Sequence, residues 1–483
     1  MVDVLIIGSG VVGSLLASYL SRYDLNILII EKELDPGNKT SAGNSGIIHA
    51  GYDPAPGTLK ALLNKRGNEL FKDLVKRLDV EYENNGALVL SFTPDDDKKI
   101  KELKKRGENN GVITKILTKE ETLKLAPNIN PDIRGSLYAE TSGVINPFEL
   151  VYHALENAVD NGAVLKRGEK VENITPYGRN FLVYTTDTSY EARIVINCAG
   201  SNAKTIASFI SNPSWDLTYR KGEYYVLDHF DDSFMTPTIF SCPIKEGKGV
   251  LFTRTTSGNY LVGPSNDLTS DPHDFGCEKD ILDQVFLKGK RLVPSLSKDK
   301  VIRVFSGMRS GSTTGDFIIE SDLIHPGFIN VAGIDSPGLA SSPAIAEYVI
   351  EKLIKPRWPL KEKENYIPNV KSYFRSRKLS LNELDKVIKE DPTAGQRICN
   401  CEKVTFKEVN DIMSRSVYPK TLKGFKRLTR AGFGKCQGSF CRINVLNYLA
   451  KKFHRSISEI FYDDLGSNFA RYPLKKGEDD GNV

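Results

Sequence analysis

Unbroken apolar runs, more than alternation, frame this chain. Val2–Ile7 and Leu25–Ile30 are dominated by Val, Ile and Leu, the pattern of parallel strands buried on both faces. Between them Val11, Leu15, Leu16 and Tyr19 recur at helical spacing, so the chain opens on a β-α-β unit. Arg193–Gly200 (RIVINCAG) and Phe328–Gly333 (FINVAG) read as further short buried strands ending in small residues. One parallel sheet assembled from such distant segments makes the first domain discontinuous. Glu81–Ser91 and Tyr219–Pro264 are instead rich in aromatic and β-branched residues with turn signals, which predicts an antiparallel or mixed sheet in a substrate-binding cap. Pro356–Gln396 is charged and carries Pro356, Pro359, Pro368 and Pro392, so it reads as a linker holding a short helix.

Length and composition refine this picture. At 483 residues the chain exceeds one compact core, and two or three domains are expected. Lys plus Arg (66) slightly outnumber Asp plus Glu (61), an excess that implies local attraction to small anionic substrates and no nucleic-acid partner. Val4–Leu20 is interrupted by Gly8, Gly10 and Gly13 and lacks a basic leader, so it is not read as a signal peptide. No other segment approaches the roughly 20 apolar residues of a membrane span. The expectation is a cytoplasmic protein, homo-oligomeric assembly being compatible with it, whose membrane contact, if any, is peripheral and through a partner.

The chemistry begins at Gly8-Ser9-Gly10-Val11-Val12-Gly13, set between the first strand and the first helix, where close backbone approach and a helix N-terminus receive a pyrophosphate. Glu31, followed by Lys32, ends the second strand 18 residues after Gly13, where a carboxylate holds the adenosine ribose. The run FINVAGIDSPGLASSPAIAEYVIEKL places Gly333, Asp335, Pro337, Gly338 and Leu339 just before a helix expected from near Ser341, a second set of amides for phosphate or flavin oxygens. A nicotinamide enzyme has little use for that second set, and there is no second G-x-G-x-x-G for NAD(P). FAD is therefore the expected cofactor, with electrons leaving to another acceptor.

Together with RIVINCAG, whose Ala199 and Gly200 also face the expected cofactor, these segments resemble the D-amino-acid-oxidase-like flavoprotein superfamily over about residues 1–355. Asn44-Ser45-Gly46-Ile47-Ile48-His49-Ala50-Gly51-Tyr52-Asp53, followed by Pro56-Gly57-Thr58-Leu59-Lys60, resembles the branch of glycerol-3-phosphate dehydrogenases and oxidases and their L-2-hydroxyglutarate-oxidising relatives. The resemblance implies an α/β fold: a discontinuous FAD-binding Rossmann domain of the glutathione-reductase type (1–80, 141–210, 300–355), an α+β cap (81–140, 211–299), a linker (356–396), a small helical cysteine domain (397–465) and a tail (466–483). It implies that His49 is the base beside a non-covalent flavin, a role suited to a side chain titrating near neutrality. Asn44 would belong to the cofactor-binding loop, Ser45 and Gly46 would touch the isoalloxazine edge, and Lys248, Arg309 and Ser336 would line the substrate pocket. Lys248 and Arg309 are what a phosphate or carboxylate needs, with Arg254 nearby able to replace either. The implied reaction is oxidation of sn-glycerol 3-phosphate to dihydroxyacetone phosphate, with electrons passing to quinone or to an electron-transfer or membrane-anchor partner. L-2-hydroxyglutarate oxidation, an amine or proline-type dehydrogenase subunit and an electron-transfer subunit are the rival readings.

Seven cysteines without a secretion signal argue against a disulfide framework. Cys198, Cys242 and Cys277 are scattered, whereas Cys399-x-Cys401 and Cys436-x4-Cys441 form two close pairs 34 residues apart. Four thiolates can hold tetrahedral zinc or an iron-sulfur cluster, or belong to a structural domain that holds neither, and spacing alone does not decide. The segment resembles the bacterioferritin-associated-ferredoxin-like domain, which implies a [2Fe-2S] cluster able to take single electrons from reduced flavin.

Overall fold

Val2–Ile7 lies at the centre of an eight-stranded sheet, hydrogen-bonded in parallel to Ile27–Glu31 on one side and to Ser189–Asn197 on the other. The computed structural model describes residues 1–231, 234–243 and 249–469, so Lys248 lies outside the described residues. Val164–Arg167 extends the sheet beyond Ile27–Glu31, and Phe328–Ala332 joins Ser189–Asn197, both in parallel. This gives five parallel strands drawn from segments far apart in the chain. The inner strands Val2–Ile7, Ile27–Glu31 and Phe328–Ala332 are covered on both faces, which is why they are apolar nearly throughout, whereas the edge strand Val164–Arg167 is not buried. Helix Val11–Leu20 packs against helices Pro147–Asp160 and Gly338–Tyr348. The opposite side of the sheet meets a core that includes Phe181, Ile206, Trp215 and Phe328. Helix Gly338–Tyr348 starts three residues before the expected Ser341, because the turn at Gly333–Pro337 leads directly into it.

A second, nine-stranded sheet gathers the segments expected to form a cap. Ala87–Ser91, Lys115–Thr118 and Gly135–Ala139 join Leu217–Leu227, Thr238–Ser241, Leu251–Arg254 and Tyr260–Gly263 in it, around a core built on Phe252, Tyr260 and Phe286. Val301–Ser312 runs along Leu217–Leu227 from end to end. Its partner is chosen by this long antiparallel ladder, which has no local signature. A small three-stranded sheet of Ile47–Ile48, Tyr82–Glu83 and Gly143–Ile145 sets the loop that contains His49.

The chain divides into two compact units, Met1–Lys32 with Pro36–Ser372, and Glu33–Asp35 with the residues from Tyr373 onward. The second unit thus begins inside the segment read as linker, and its helix Leu381–Glu390 opens on a capping box in which Ser380 and Glu383 exchange hydrogen bonds. Helices Phe406–Met413, Leu422–Thr429 and Arg442–Phe453 pack around Phe425, Leu446 and Leu449. Asp35 belongs to this unit and accepts from the Lys420 and Thr421 amides and the Thr421 hydroxyl. Among the described residues no helix is long and apolar enough to cross a membrane.

Candidate functional site

A cavity of about 470 Å³ opens in the first unit at the ends of the parallel strands, where ligands bind in open α/β sheets. On one side stands the N-terminus of helix Val11–Leu20, with Gly10, Val11 and Val12 in the wall. Gly8 makes the turn possible: its φ is +98°, and a Cβ there would come within 2.6 Å of the Cys198 carbonyl oxygen. Glu31 Oε2 accepts from both the Ser9 amide and the Ser9 hydroxyl at 2.8 Å, which ties the glycine turn to the end of the second strand. The Val11 amide donates to Ser41 Oγ at 2.9 Å, a contact that the sequence motif did not foretell.

Opposite, Gly333, Asp335, Ser336, Pro337, Gly338 and Leu339 line the same cavity. Asp335 pairs with Lys60 at 2.7 Å. Lys60 and Leu59 donate their amides to Asp316, so the Pro56–Lys60 motif braces the second turn. The floor is the loop around Asn44 and Ser45, where Asn44 accepts from the Gly46 amide at 2.8 Å. This loop meets the strand Val301–Ser312 backbone to backbone. A Cβ on Gly307 would stand 1.7 Å from the Gly43 carbonyl oxygen, so the contact admits no side chain there.

His49 follows the strand Ile47–Ile48 and lines the cavity, its ring 5.9 Å from that of Phe240. Its carbonyl oxygen accepts from Asn64 at 2.8 Å and Asn68 at 3.2 Å, both buried on helix Leu59–Arg77, which fixes the backbone that carries the imidazole. Arg309 also lines the cavity, Nη2 donating to the Ser265 carbonyl at 2.7 Å. The structure therefore gathers His49, Arg309 and Ser336 at one cavity, together with Gly10, Val11, Val12, Asn44, Ser45, Gly200 and the Gly333–Leu339 turn. Gly8, Gly13, Glu31, Lys32, Gly46 and Ala199 are not in its lining. Arg254 does not line it either.

Sequence reasoning missed Tyr224, Gln284 and Lys288, which also line the cavity. Tyr224 stacks on Phe305 with ring centroids 4.8 Å apart. Burial pushes its phenol above the ordinary value, while nearby Arg309 and a hydrogen bond with Ser45 pull it back. Ile281, Gln284, Val285 and Lys288 recur at the spacing of one face of helix Lys279–Leu292, and that face borders the cavity. A lysine on an amphipathic helix carries no sequence signal of such a position. A helix N-terminus and an opposed turn that share one cavity, with a carboxylate at the second strand's end bonded to the glycine turn, fit a dinucleotide cofactor.

In the second unit the four clustered cysteines pair across their two motifs. Cys401 and Cys436 sulfurs stand 3.5 Å apart, and the Cys399 and Cys441 thiols hydrogen-bond one another. The Cys441 thiol and then the Gly432 and Glu402 amides hold Cys399 down to about 6, while the same pairing and burial raise Cys441. Burial acts to raise Cys436, but amides of Phe440 and Gly438 bring it below its ordinary value. Burial and its Cys436 partner raise Cys401. Among the described residues no three ligating side chains gather as a site for a single metal ion. Thiols in two pairs with amides aimed at the sulfurs fit a two-iron cluster, which takes two thiolates at each iron.

Known proteins agree with this division. The FAD dependent oxidoreductase family matches residues 3–352, and the BFD-like [2Fe-2S] binding domain matches 397–451. A glycerol 3-phosphate dehydrogenase from Caloramator mitchellensis is 40% identical over 476 residues, 98% of this chain and 99% of that protein. The structure of dithionite-reduced L-alpha-glycerophosphate oxidase from Mycoplasma pneumoniae with FAD bound superposes with a TM-score of 0.74 at 32% identity, covering 77% of this chain and 99% of that one. A mitochondrial L-2-hydroxyglutarate dehydrogenase from Arabidopsis thaliana is more distant, 25% identical over 406 residues, 73% of this chain and 84% of that protein.

Proposed function

The chain belongs to the FAD dependent oxidoreductase family, and on that premise we propose that it oxidises sn-glycerol 3-phosphate to dihydroxyacetone phosphate and passes the electrons through its cysteine domain to quinone or an electron-transfer partner. The observation that carries the reading is that His49, Arg309 and Ser336, drawn from three distant segments, line one cavity with the cofactor turns. Bound FAD supplies the acceptor for the hydride leaving C2.

The chain's own residues do the rest. His49 takes the proton of the C2 hydroxyl, a task for a base titrating near the working pH. Its carbonyl, held by Asn64 and Asn68, keeps the imidazole aimed at one place. Arg309 lies over Gly222 with one nitrogen fixed by Ser265, and it presents its remaining donors to the phosphate, where a planar fork suits two oxygens at once. Lys248, outside the described residues, is a second phosphate donor in this reading, and Ser336 orients the polyol. Gly8–Gly13, Glu31 and the Gly333–Leu339 turn hold the cofactor. Cys399, Cys401, Cys436 and Cys441 would hold a [2Fe-2S] cluster, which would supply one-electron chemistry. Any contact with the cytoplasmic membrane face is made through the partner.

Replacement His49→Ala should lower turnover by about 10²–10⁴-fold with FAD content unchanged, while product captured from the native enzyme should be dihydroxyacetone phosphate. Native turnover in the variant removes His49 from this role, and a different product overturns the substrate assignment.

A further inference from the structure

One face of the second unit has features that the oxidation chemistry leaves unused. The two cysteine pairs differ in access: Cys399 and Cys441 are buried, whereas Cys401 is exposed and Cys436 half-buried. Phe440, whose amide reaches Cys436, has 81% of its surface exposed, and Ile443, two residues past Cys441 in sequence, has 55%. The Phe440 amide donates to the Cys436 sulfur, so the residue whose ring stands in solvent also holds the accessible thiol. Lys403, Lys435 and Arg442 are exposed near them in sequence. Glu402, the carboxylate next to Cys401, is turned into a two-pronged pair with Arg430 at 2.8 and 3.0 Å.

The charge imbalance is larger than these neighbours. Between Asp411 and Glu459 there are eleven Lys or Arg and no Asp or Glu, against a net charge of +5 for the whole chain. Cations near a thiolate cluster offset its charge, but that task needs no exposed phenylalanine. An apolar centre with a charged rim is the anatomy of a protein contact, and single-signed rims steer encounters of opposite charge.

We propose that the face around Cys401, Cys436 and Phe440 is the docking surface for an acidic one-electron carrier protein. The inference rests on reading the cysteine site as [2Fe-2S] in a dehydrogenase. Glycerol 3-phosphate loses two electrons and two protons as its C2–H and O–H bonds break and the carbonyl forms. The electrons leave singly through the Cys401–Cys436 end, so two carriers are each reduced by one electron for every product, and the protons pass to solvent. The contact is small and transient, strong enough for encounter and weak enough for release.

The test uses the holoenzyme with oxidised flavodoxin as the acidic probe and the basic protein cytochrome c as its control, with affinity read by calorimetry at low and moderate salt. Flavodoxin should bind, weaken steeply as salt rises, and lose at least tenfold affinity in the Lys435→Glu, Arg442→Glu double variant and severalfold in Phe440→Ala; cytochrome c should not bind. Unchanged iron absorption in the variants shows that the unit is folded, and substrate bleaching of their flavin should match the native enzyme. Equal flavodoxin affinity in the charge-reversed enzyme overturns the proposal. So does binding to phosphatidylglycerol vesicles in place of flavodoxin, which would make the face a membrane contact. Slower substrate-driven reduction of the cluster in Phe440→Ala, with flavodoxin affinity intact, overturns it too by giving the face to the chain's own flavin. Salt-sensitive flavodoxin binding by an enzyme that glycerol 3-phosphate fails to bleach would leave the docking surface standing and remove the substrate assignment instead.

Discussion

The cavity of the first unit is walled by strand ends and turns drawn from both ends of that unit, with separate buried clusters of 19 and 18 residues in the two sheets. In the second unit Cys399 ends the strand Arg397–Cys399 and the other three clustered cysteines lie in turns, beside a cluster of 13 buried residues that includes Cys399 and Cys441 themselves. In the first unit the fold makes the site, since backbone contacts such as Gly43 on Gly307 fix its shape. In the second the site helps to make the fold, because a core this small gains much of its stability from what its cysteines bind. The two kinds of site should respond differently to loss of their ligands and to substitution.

Removing iron with a chelator should have the largest effect. The second unit should lose several kcal/mol, a fall on the order of 10–20 °C in its unfolding midpoint, while removal of FAD should leave the first unit with a cooperative transition of its own. Calorimetry of the two stripped forms checks this, and an unshifted second transition without iron would erase the contrast.

Next in size is a pH effect confined to the second unit. Burial raises Glu408 to about 7 from its ordinary 4.5, against the pull of Arg377. The folded unit therefore keeps a proton that the unfolded chain releases. This contribution is fully present below pH 4.5 and is lost as pH rises through 7, in total about 3 kcal/mol. Glu408→Gln should flatten the fall in that unit's unfolding midpoint between pH 5 and pH 8, whereas an unchanged slope would assign the pH dependence elsewhere.

Gly307→Ala sharpens the comparison from the other side. Its Cβ must displace the Gly43 carbonyl, an overpacking cost of roughly 1–3 kcal/mol, and the loop that moves is the cavity floor. FAD affinity should fall about tenfold or more, measured by flavin fluorescence, with the second unit's melting unaffected; native affinity would show that this contact does not shape the floor. Lys288→Ala should have the smallest effect, a rise in KM of about three- to tenfold (~1 kcal/mol) at unchanged kcat, as for an exposed cation that meets the substrate anion at the rim. A fall in kcat instead would place Lys288 in the chemistry.

What was legible in the chain follows from how local each signal is. Gly8–Gly13 and the Gly333–Leu339 turn are contiguous motifs whose glycines answer to backbone geometry, and Gly10, Val11, Val12 and the Gly333–Leu339 turn line the cavity. His49, Arg309 and Ser336 were each marked by a motif, and they line one cavity. The cysteines were visible as two motifs, but their pairing of Cys399 with Cys441 and Cys401 with Cys436 crosses between segments and could not be read from spacing. The pairing of Val301–Ser312 with Leu217–Leu227 could not be read from the chain because it is a non-local ladder. Tyr224, Gln284 and Lys288 escaped notice because each is a single polar residue on an ordinary strand or helix. Ser41 escaped because a hydroxyl that takes the Val11 amide looks like any other loop serine.

The most direct test of the central claim is anaerobic mixing of the purified flavoprotein with sn-glycerol 3-phosphate and, separately, with L-2-hydroxyglutarate, following the visible flavin band in a stopped-flow instrument. The expected result is rapid bleaching by glycerol 3-phosphate alone. Bleaching by L-2-hydroxyglutarate alone, or by neither, would contradict it.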